Sequence, residues 1–123
     1  MGIVEEFEEL KPIIKDKWLD FYENNLSFCK NIRIDNYQYK SGGQSAPDLY
    51  RPNGLIILTT IILLEPKMKD YIQLLSMANS DTEKIVELLR LNFDPKIELE
   101  KRKEEKAKNQ FIEPPSLLDD FRK

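Results

Sequence analysis

The sequence predicts a mainly helical protein: a small, compact domain of about four helices with one extended segment and a charged C-terminal tail. Apolar residues recur every three or four positions over most of the chain, which is the period of an amphipathic helix. One cluster of turn-forming residues interrupts this pattern, and Glu and Lys dominate after residue 95. We therefore divide the chain into a helical binding domain, residues 1–95, and a charged tail, residues 96–123.

The first predicted element is one helix, or two in tandem, between Ile3 and about Asn31. Its apolar stripe contains Phe7, Leu10, Ile14, Trp18, Phe21 and Tyr22. Pro12 lies inside this stripe, although proline suits the first turn of a helix better than the middle. We therefore expect a break or bend near Leu10 and Lys11.

Residues 31–40 have a different pattern. Ile32 and Ile34, and then Tyr37 and Tyr39, occupy alternate positions, as on an extended segment with one apolar side. This predicts a short strand or an extended arm, and leaves open whether it pairs with another strand. Residues 41–54 are rich in Gly, Pro, Ser, Asn and Asp, and are predicted to form the main loop.

The longest apolar run, Leu55 to Leu64, is too short to span a membrane, which takes about twenty residues. We interpret it as a buried helix that ends before Pro66, since the residue before a proline avoids helical geometry. Its β-branched residues are also compatible with a buried strand.

Two more helices are predicted before the tail. Pro66 suits the first position of a helix that ends around Asn79. Ser80 and Glu83 have the spacing of a capping box, which predicts that the last helix starts at Ser80. Asn92, Asp94 and Pro95 then end that helix.

The tail has two parts. Lys96 to Lys108 contains few large apolar residues, which predicts a solvated helix or a disordered linker. A short apolar cluster, Phe111 to Phe121, follows it.

Composition excludes several classes of function. The chain has no histidine and one cysteine, Cys29, so the usual zinc sites and histidine-assisted nucleophiles cannot be assembled from it. A net charge of -3 gives no overall attraction to nucleic acid. Since Cys29 cannot form an internal disulfide and no secretory signal is visible, a cytoplasmic location is expected. We expect no enzymatic activity, no cofactor and no metal.

The candidate binding residues are large aromatic or apolar side chains and one arginine. Tyrosine and arginine contribute strongly to protein interfaces, although the residues beside the loop would alternatively cover the core. Trp18 fits a core anchor better than an interface, and the tail residues would dock on a partner or fold back onto the domain. The candidates are Trp18, Tyr22, Tyr37, Tyr39, Tyr50, Arg51, Leu117, Leu118 and Phe121.

Three segments carry a resemblance to a known family: KWLDFYENN at residues 17–25, LLEPK at 63–67 and LNFDP at 91–95. In this order they resemble a small cyanobacterial domain family of mostly unassigned function, over roughly the first 95 residues. We expect this group to include the carboxysome assembly factor CcmS. The resemblance implies a chaperone-like protein that binds the C-terminal segment of a CcmK-type carboxysome shell protein, but it supplies no binding residues.

These observations lead to one main functional hypothesis. The protein is expected to be a non-catalytic binding module, an assembly factor or chaperone that holds a shell-protein segment in an apolar groove between the Leu55 helix and its neighbours. It would then be associated with the carboxysome. The alternative is an accessory or assembly factor of a photosynthetic or respiratory membrane complex that docks through the tail. Homodimerisation through spare apolar surface is compatible with either hypothesis.

Overall fold

A computed structural model describes residues 2–112, with side chains described up to residue 108. In this part of the chain, six helices accompany a two-stranded antiparallel sheet: α1 (Ile3–Asn24), α2 (Leu26–Ile32), β1 (Tyr37–Lys40), β2 (Leu49–Arg51), α3 (Gly54–Leu64), α4 (Met68–Ala78), α5 (Thr82–Leu88) and α6 (Pro95–Ile112). The mainly helical class is confirmed. The expected number of about four helices was too low, because a separate α2 follows α1 and the charged segment forms α6.

Helix α1 continues through Pro12, so the expected break near Leu10 and Lys11 was wrong, while the alternative of a bend there stays a prediction. Leu10 and Ile14, on either side of the proline, are both buried in the core. Their packing offsets the cost of a proline in a helix, about 3 kcal/mol. The helix ends instead just before Asn25, whose side-chain amide donates a hydrogen bond to the Phe21 carbonyl at 2.8 Å.

The extended segment is confirmed in part. Strand β1 pairs with β2, and Tyr37 lies opposite Arg51. The start of the predicted segment is helical, because α2 runs to Ile32 and ends where Arg33 adopts a left-handed conformation with φ 53°. The N–H of Ile34 then donates to the Cys29 carbonyl at 3.2 Å, which closes the helix end.

The apolar run is a helix, as favoured from the sequence. Helix α3 contacts α1, α4 and α5, and its buried residues include Ile57, Leu58 and Ile61. Asn53 caps its start by accepting a hydrogen bond from the N–H of Ile56 at 3.0 Å. Helix α4 follows after a turn at residues 66–67 and ends at Ala78, close to the predicted end.

The predicted capping box at Ser80 was wrong. Asp81 caps α5 instead, and its side chain accepts from the N–H of Glu83 at 3.0 Å. The Glu83 carboxylate does not return to its own helix start. It accepts a hydrogen bond from the N–H of Gly54 at 2.8 Å and so connects the starts of α3 and α5.

Helix α6 covers the first part of the predicted tail. Pro95 occupies its first position, and the Asp94 side chain accepts from the N–H of Lys96 at 2.9 Å. Leu99 is buried against the core, and Arg102 pairs with Asp20 of α1 at 2.8 Å. The highly charged segment is therefore a helix that packs on α1, while the domain boundary at residue 95 stays a prediction.

One apolar cluster holds these elements together. All six helices and the segments between them contribute buried side chains to this cluster. Its buried members are Leu10, Ile14, Trp18, Leu19, Tyr22, Cys29, Ile34, Ile57, Leu58, Ile61, Met68, Ile72, Ile85, Val86, Leu89, Leu91 and Leu99.

Candidate functional site

Two of the predicted binding residues lie in the core. Trp18 and Tyr22 both have no solvent exposure. Trp18 stacks on Phe21 with ring centroids 6.0 Å apart and meets Tyr22 edge-on at 6.2 Å. The interpretation of Trp18 as a core anchor fits this position, and neither side chain is accessible to a partner here.

Tyr22 also belongs to a small polar contact. Its hydroxyl donates a hydrogen bond to the Asp35 carboxylate, and Lys96 lies 3.6 Å from the same oxygen. Burial raises the pKa of the Tyr22 hydroxyl strongly, and the bond to Asp35 raises it further. Burial likewise raises the pKa of the Cys29 thiol, with Asp35 adding to the effect, so the thiol is a poor nucleophile.

Arg51 is the most deeply buried charged residue described, with 1% of its surface exposed. Its Nε donates to Asn92 at 2.9 Å, one terminal nitrogen donates to the Pro52 carbonyl at 2.8 Å, and the other lies 2.9 Å from Glu83 Oε1. The guanidinium also lies over the Tyr37 and Tyr39 rings, at 4.7 and 5.7 Å. We call Arg51, Glu83, Asn92, Tyr37 and Tyr39 the Arg51 knot.

The Arg51 knot ties the β1–β2 hairpin to the helices. Because Arg51 is a strand residue and Glu83 belongs to α5, their ion pair joins segments that are distant in sequence. Tyr37 and Tyr39 are partly buried beside it, whereas Tyr50 on the other face of the hairpin is 41% exposed. Of the loop candidates, Tyr50 is therefore the most accessible. Leu117, Leu118 and Phe121 lie outside the described residues.

An apolar groove lies on the surface between the start of α1 and helix α4. It encloses a cavity of about 140 Å³, and we call its lining residues Ile3, Val4, Phe7, Tyr71, Leu74 and Leu75 the α1/α4 groove. Ile3 is 73% exposed and Leu74 is 63% exposed. Met77, one turn after Leu74, is 83% exposed. The groove thus differs from the expected location, since α3 supplies none of its lining side chains.

The groove has an aromatic floor and a polar rim. The Phe7 and Tyr71 rings pack with centroids 5.3 Å apart, and the Tyr71 hydroxyl donates a hydrogen bond to Glu6. An adjoining cavity of about 440 Å³ adds Glu6, Lys67 and Asp70 to the lining. An apolar floor with a polar rim is the usual anatomy of a protein-binding surface.

Another surface cavity, of about 450 Å³, lies further along α1. Its lining residues are Glu8, Lys11, Pro12, Lys15 and Arg90, and we call it the basic pocket. The Lys11 ammonium lies 3.1 Å from Glu8 and 4.9 Å from the centre of the Phe7 ring. Since Phe7 lines the α1/α4 groove and Lys11 lines the basic pocket, the two depressions lie next to each other.

The described residues contain neither a metal-binding cluster nor a membrane-spanning helix. In that part of the chain, no group of three or more Asp, Glu or Cys side chains is placed to hold a metal ion. Among the described helices, none is both long and apolar enough to cross a membrane.

The position of the α1/α4 groove was not predicted from the sequence. On α4, the buried residues Met68 and Ile72 already define a core-facing stripe. Tyr71, Leu74 and Met77 extend the apolar surface of α4 from this stripe around to its far side, so it is wider than packing on the core requires. This excess width was the available signal, although the sequence does not reveal which surface remains uncovered.

Comparison with known proteins gives one match. The model of a family of unknown function, DUF5331, matches residues 4–118. The chain belongs to this family. The match includes the Arg51 knot, the basic pocket, all of the α1/α4 groove except Ile3, and most of the predicted tail. No curated protein and no solved structure matches the chain. Since the family has no assigned function, the resemblance to the cyanobacterial group of CcmS stays a prediction.

Proposed function

We propose that this DUF5331 protein is a non-catalytic binding module that holds a short segment of another protein in the α1/α4 groove. The observation that carries the proposal is a group of exposed large apolar residues, Ile3, Val4 and Leu74, around a concave surface. Exposed apolar patches of this kind mark binding sites for proteins or ligands. Helix α4 presents Leu74 and Met77 one turn apart, which suits the side chains of an apolar segment.

The proposed partner is a CcmK-type carboxysome shell protein, bound through its C-terminal segment. This part of the proposal depends on the sequence resemblance, and it implies a cytoplasmic, carboxysome-associated assembly factor or chaperone. Its non-catalytic character is supported by the lack of histidine and by the burial of Cys29.

Affinity purification of tagged protein from a cyanobacterial host tests the proposal, with mass spectrometry to identify what is retained. The decisive variant is Leu74→Glu, which places a carboxylate in the apolar floor and should abolish retention of the shell protein. Leu63→Glu is the matched control, because Leu63 is 76% exposed and is not among the residues that line the groove. This control should bind like the wild type.

Two results would count against the proposal. If Leu74→Glu retains the same proteins as the wild type while both are folded by circular dichroism, the groove is not the binding site. If subunits of a membrane complex are recovered instead of shell proteins, the partner assignment fails and the accessory-factor hypothesis gains support.

A further inference from the structure

The basic pocket stands out against the charge of the whole protein. Three of its five lining residues, Lys11, Lys15 and Arg90, are cationic, whereas the chain has a net charge of -3. Two of the cations are partly neutralised, since Lys11 pairs with Glu8 at 3.1 Å and Lys15 pairs with Glu98 at 2.8 Å. Among the described side chains, Arg90 has no carboxylate within ion-pair distance.

Arg90 also has an unusual backbone conformation. It lies just after α5 in the left-handed region, with φ 62°, where glycine is the usual residue. The hydrogen bond from the N–H of Leu91 to the Val86 carbonyl, at 3.0 Å, closes the helix end, and both neighbours of Arg90 are fully buried. The conformation is therefore fixed by packing. An arginine in this place costs stability relative to glycine, so its side chain can be removed by a change to glycine without loss of stability.

The basic pocket and the α1/α4 groove lie next to each other along α1. Phe7 lines the groove, and the Lys11 ammonium lies over its ring at the edge of the pocket. From Val4 to Lys15 the helix rises by about 16 Å, at roughly 1.5 Å per residue. An extended peptide of about five residues covers this distance.

From this arrangement we infer that the segment bound by the protein is acidic as well as apolar, with its apolar side chains in the α1/α4 groove and its carboxylates in the basic pocket. The inference depends on the proposed function and adds the chemical class of the partner segment. Arg90 is the principal carboxylate contact, because a guanidinium can bind a carboxylate through two parallel hydrogen bonds. Lys11 and Lys15 add positive charge on the α1 side of the pocket.

The test uses the full-length protein and a random-peptide phage library as the probe. Peptides selected by the wild type should carry Asp or Glu within a few residues of Leu, Ile or Phe. The affinity of a synthetic copy of the best peptide is then measured by fluorescence anisotropy for the wild type and its variants. Arg90→Gly should weaken binding by about tenfold or more, since it removes hydrogen bonds to a charged group.

Arg33→Gly provides a matched control. Arg33 also follows a helix in the left-handed conformation, with φ 53°, but it is not among the residues that line the basic pocket. Both glycine variants should keep or raise the melting temperature, because glycine adopts this conformation without steric cost. Only Arg90→Gly should lose affinity, so an effect on folding is separated from an effect on binding.

The possible failures are distinguishable. Selected peptides without an excess of Asp and Glu, or equal affinity of wild type and Arg90→Gly, would overturn the inference. If either of these results is obtained but the selected peptides bind Leu74→Glu more weakly than the wild type, the groove and the proposed function survive. If the library yields no binding peptide, the inference and the proposed groove function both fall.

Discussion

The Arg51 knot and the α1/α4 groove both depart from the usual distribution of residues, in which charged side chains are exposed and large apolar side chains are buried. In the knot, a charged side chain is buried, and each nitrogen of its guanidinium meets a partner from the segment after β2, from α5 or from the segment after α5. In the groove, large apolar side chains are left in contact with water. The polar groups of the knot therefore find their partners within the chain, whereas the apolar side chains of the groove remain uncovered. Buried polar groups with complete partners have a structural role, and uncovered apolar groups indicate binding.

The largest expected effect tests the structural side of this comparison. Arg51→Met should lower the free energy of unfolding by about 3–5 kcal/mol, because it leaves Glu83 partly buried without its cation. Urea denaturation measures the change. The exposed pair of Lys84 and Glu87, 3.4 Å apart, gives the control, and Lys84→Ala should cost less than about 1 kcal/mol.

A second variant sharpens the interpretation of the knot. Arg51→Met combined with Glu83→Leu removes both charges, so it should recover part of the lost stability. Recovery will be incomplete, since the N–H of Gly54 also loses its acceptor on Glu83. If Arg51→Met alone is as stable as Lys84→Ala, the knot is not a structural tie and the contrast with the groove disappears.

An intermediate effect is expected at the other buried polar contact. Tyr22→Phe removes the donor to Asp35 and should cost about 1–3 kcal/mol at neutral pH. The pKa of Tyr22 is raised above its ordinary value of 10.0, so the unfolded chain loses this proton first as the pH rises. The wild type therefore keeps this stabilisation below pH 10.0 and loses it above that value.

Denaturation curves recorded on both sides of pH 10.0 measure this dependence. Tyr22→Phe should lose less stability than the wild type at alkaline pH, although Cys29 and Tyr39, whose pKa values burial also raises, leave a residual slope. Tyr50→Phe serves as the control because Tyr50 is exposed. If the wild type and Tyr22→Phe lose the same stability as the pH rises, the pKa of the Tyr22 hydroxyl does not differ between the folded and the unfolded chain.

The smallest effect is expected in the α1/α4 groove. Leu74→Ala should change the free energy of unfolding by no more than about 0.5 kcal/mol, as for other exposed positions. Leu58→Ala in α3 removes a buried side chain of the same type and should cost about 2–5 kcal/mol. Thermal or urea denaturation compares the pair directly. A loss at Leu74 as large as that at Leu58 would mean that the groove residue is part of the folding core.

Local patterns were sufficient to predict most helices. The stripe of α1, the apolar run of α3 and the helix that ends at Ala78 follow from period and from turn-forming residues alone. The predictions failed where a tertiary contact outweighed a local preference. Pro12 disfavours a helix interior, yet core packing on both sides keeps α1 continuous. Ser80 and Glu83 match a capping box, yet Glu83 binds the N–H of Gly54 and Arg51 instead.

The candidate site was less predictable than the fold. Trp18, Tyr22 and Arg51 are residue types that are frequent in interfaces, but they are buried here. Residue type alone does not distinguish an interface from a core, because both bury aromatic rings. The groove residues Ile3, Val4 and Leu74 have ordinary helical spacing, and only the positions of α1 and α4 leave them uncovered.

The helical class, the order of the main elements, the absence of histidine and the single cysteine follow from the sequence. These properties depend on the period and composition of neighbouring residues, which local physical rules describe. Only the tertiary structure shows that Arg51 is buried and that α6 packs on α1. Such outcomes depend on contacts between residues far apart in the chain, where the packing of the whole core selects among locally equivalent arrangements.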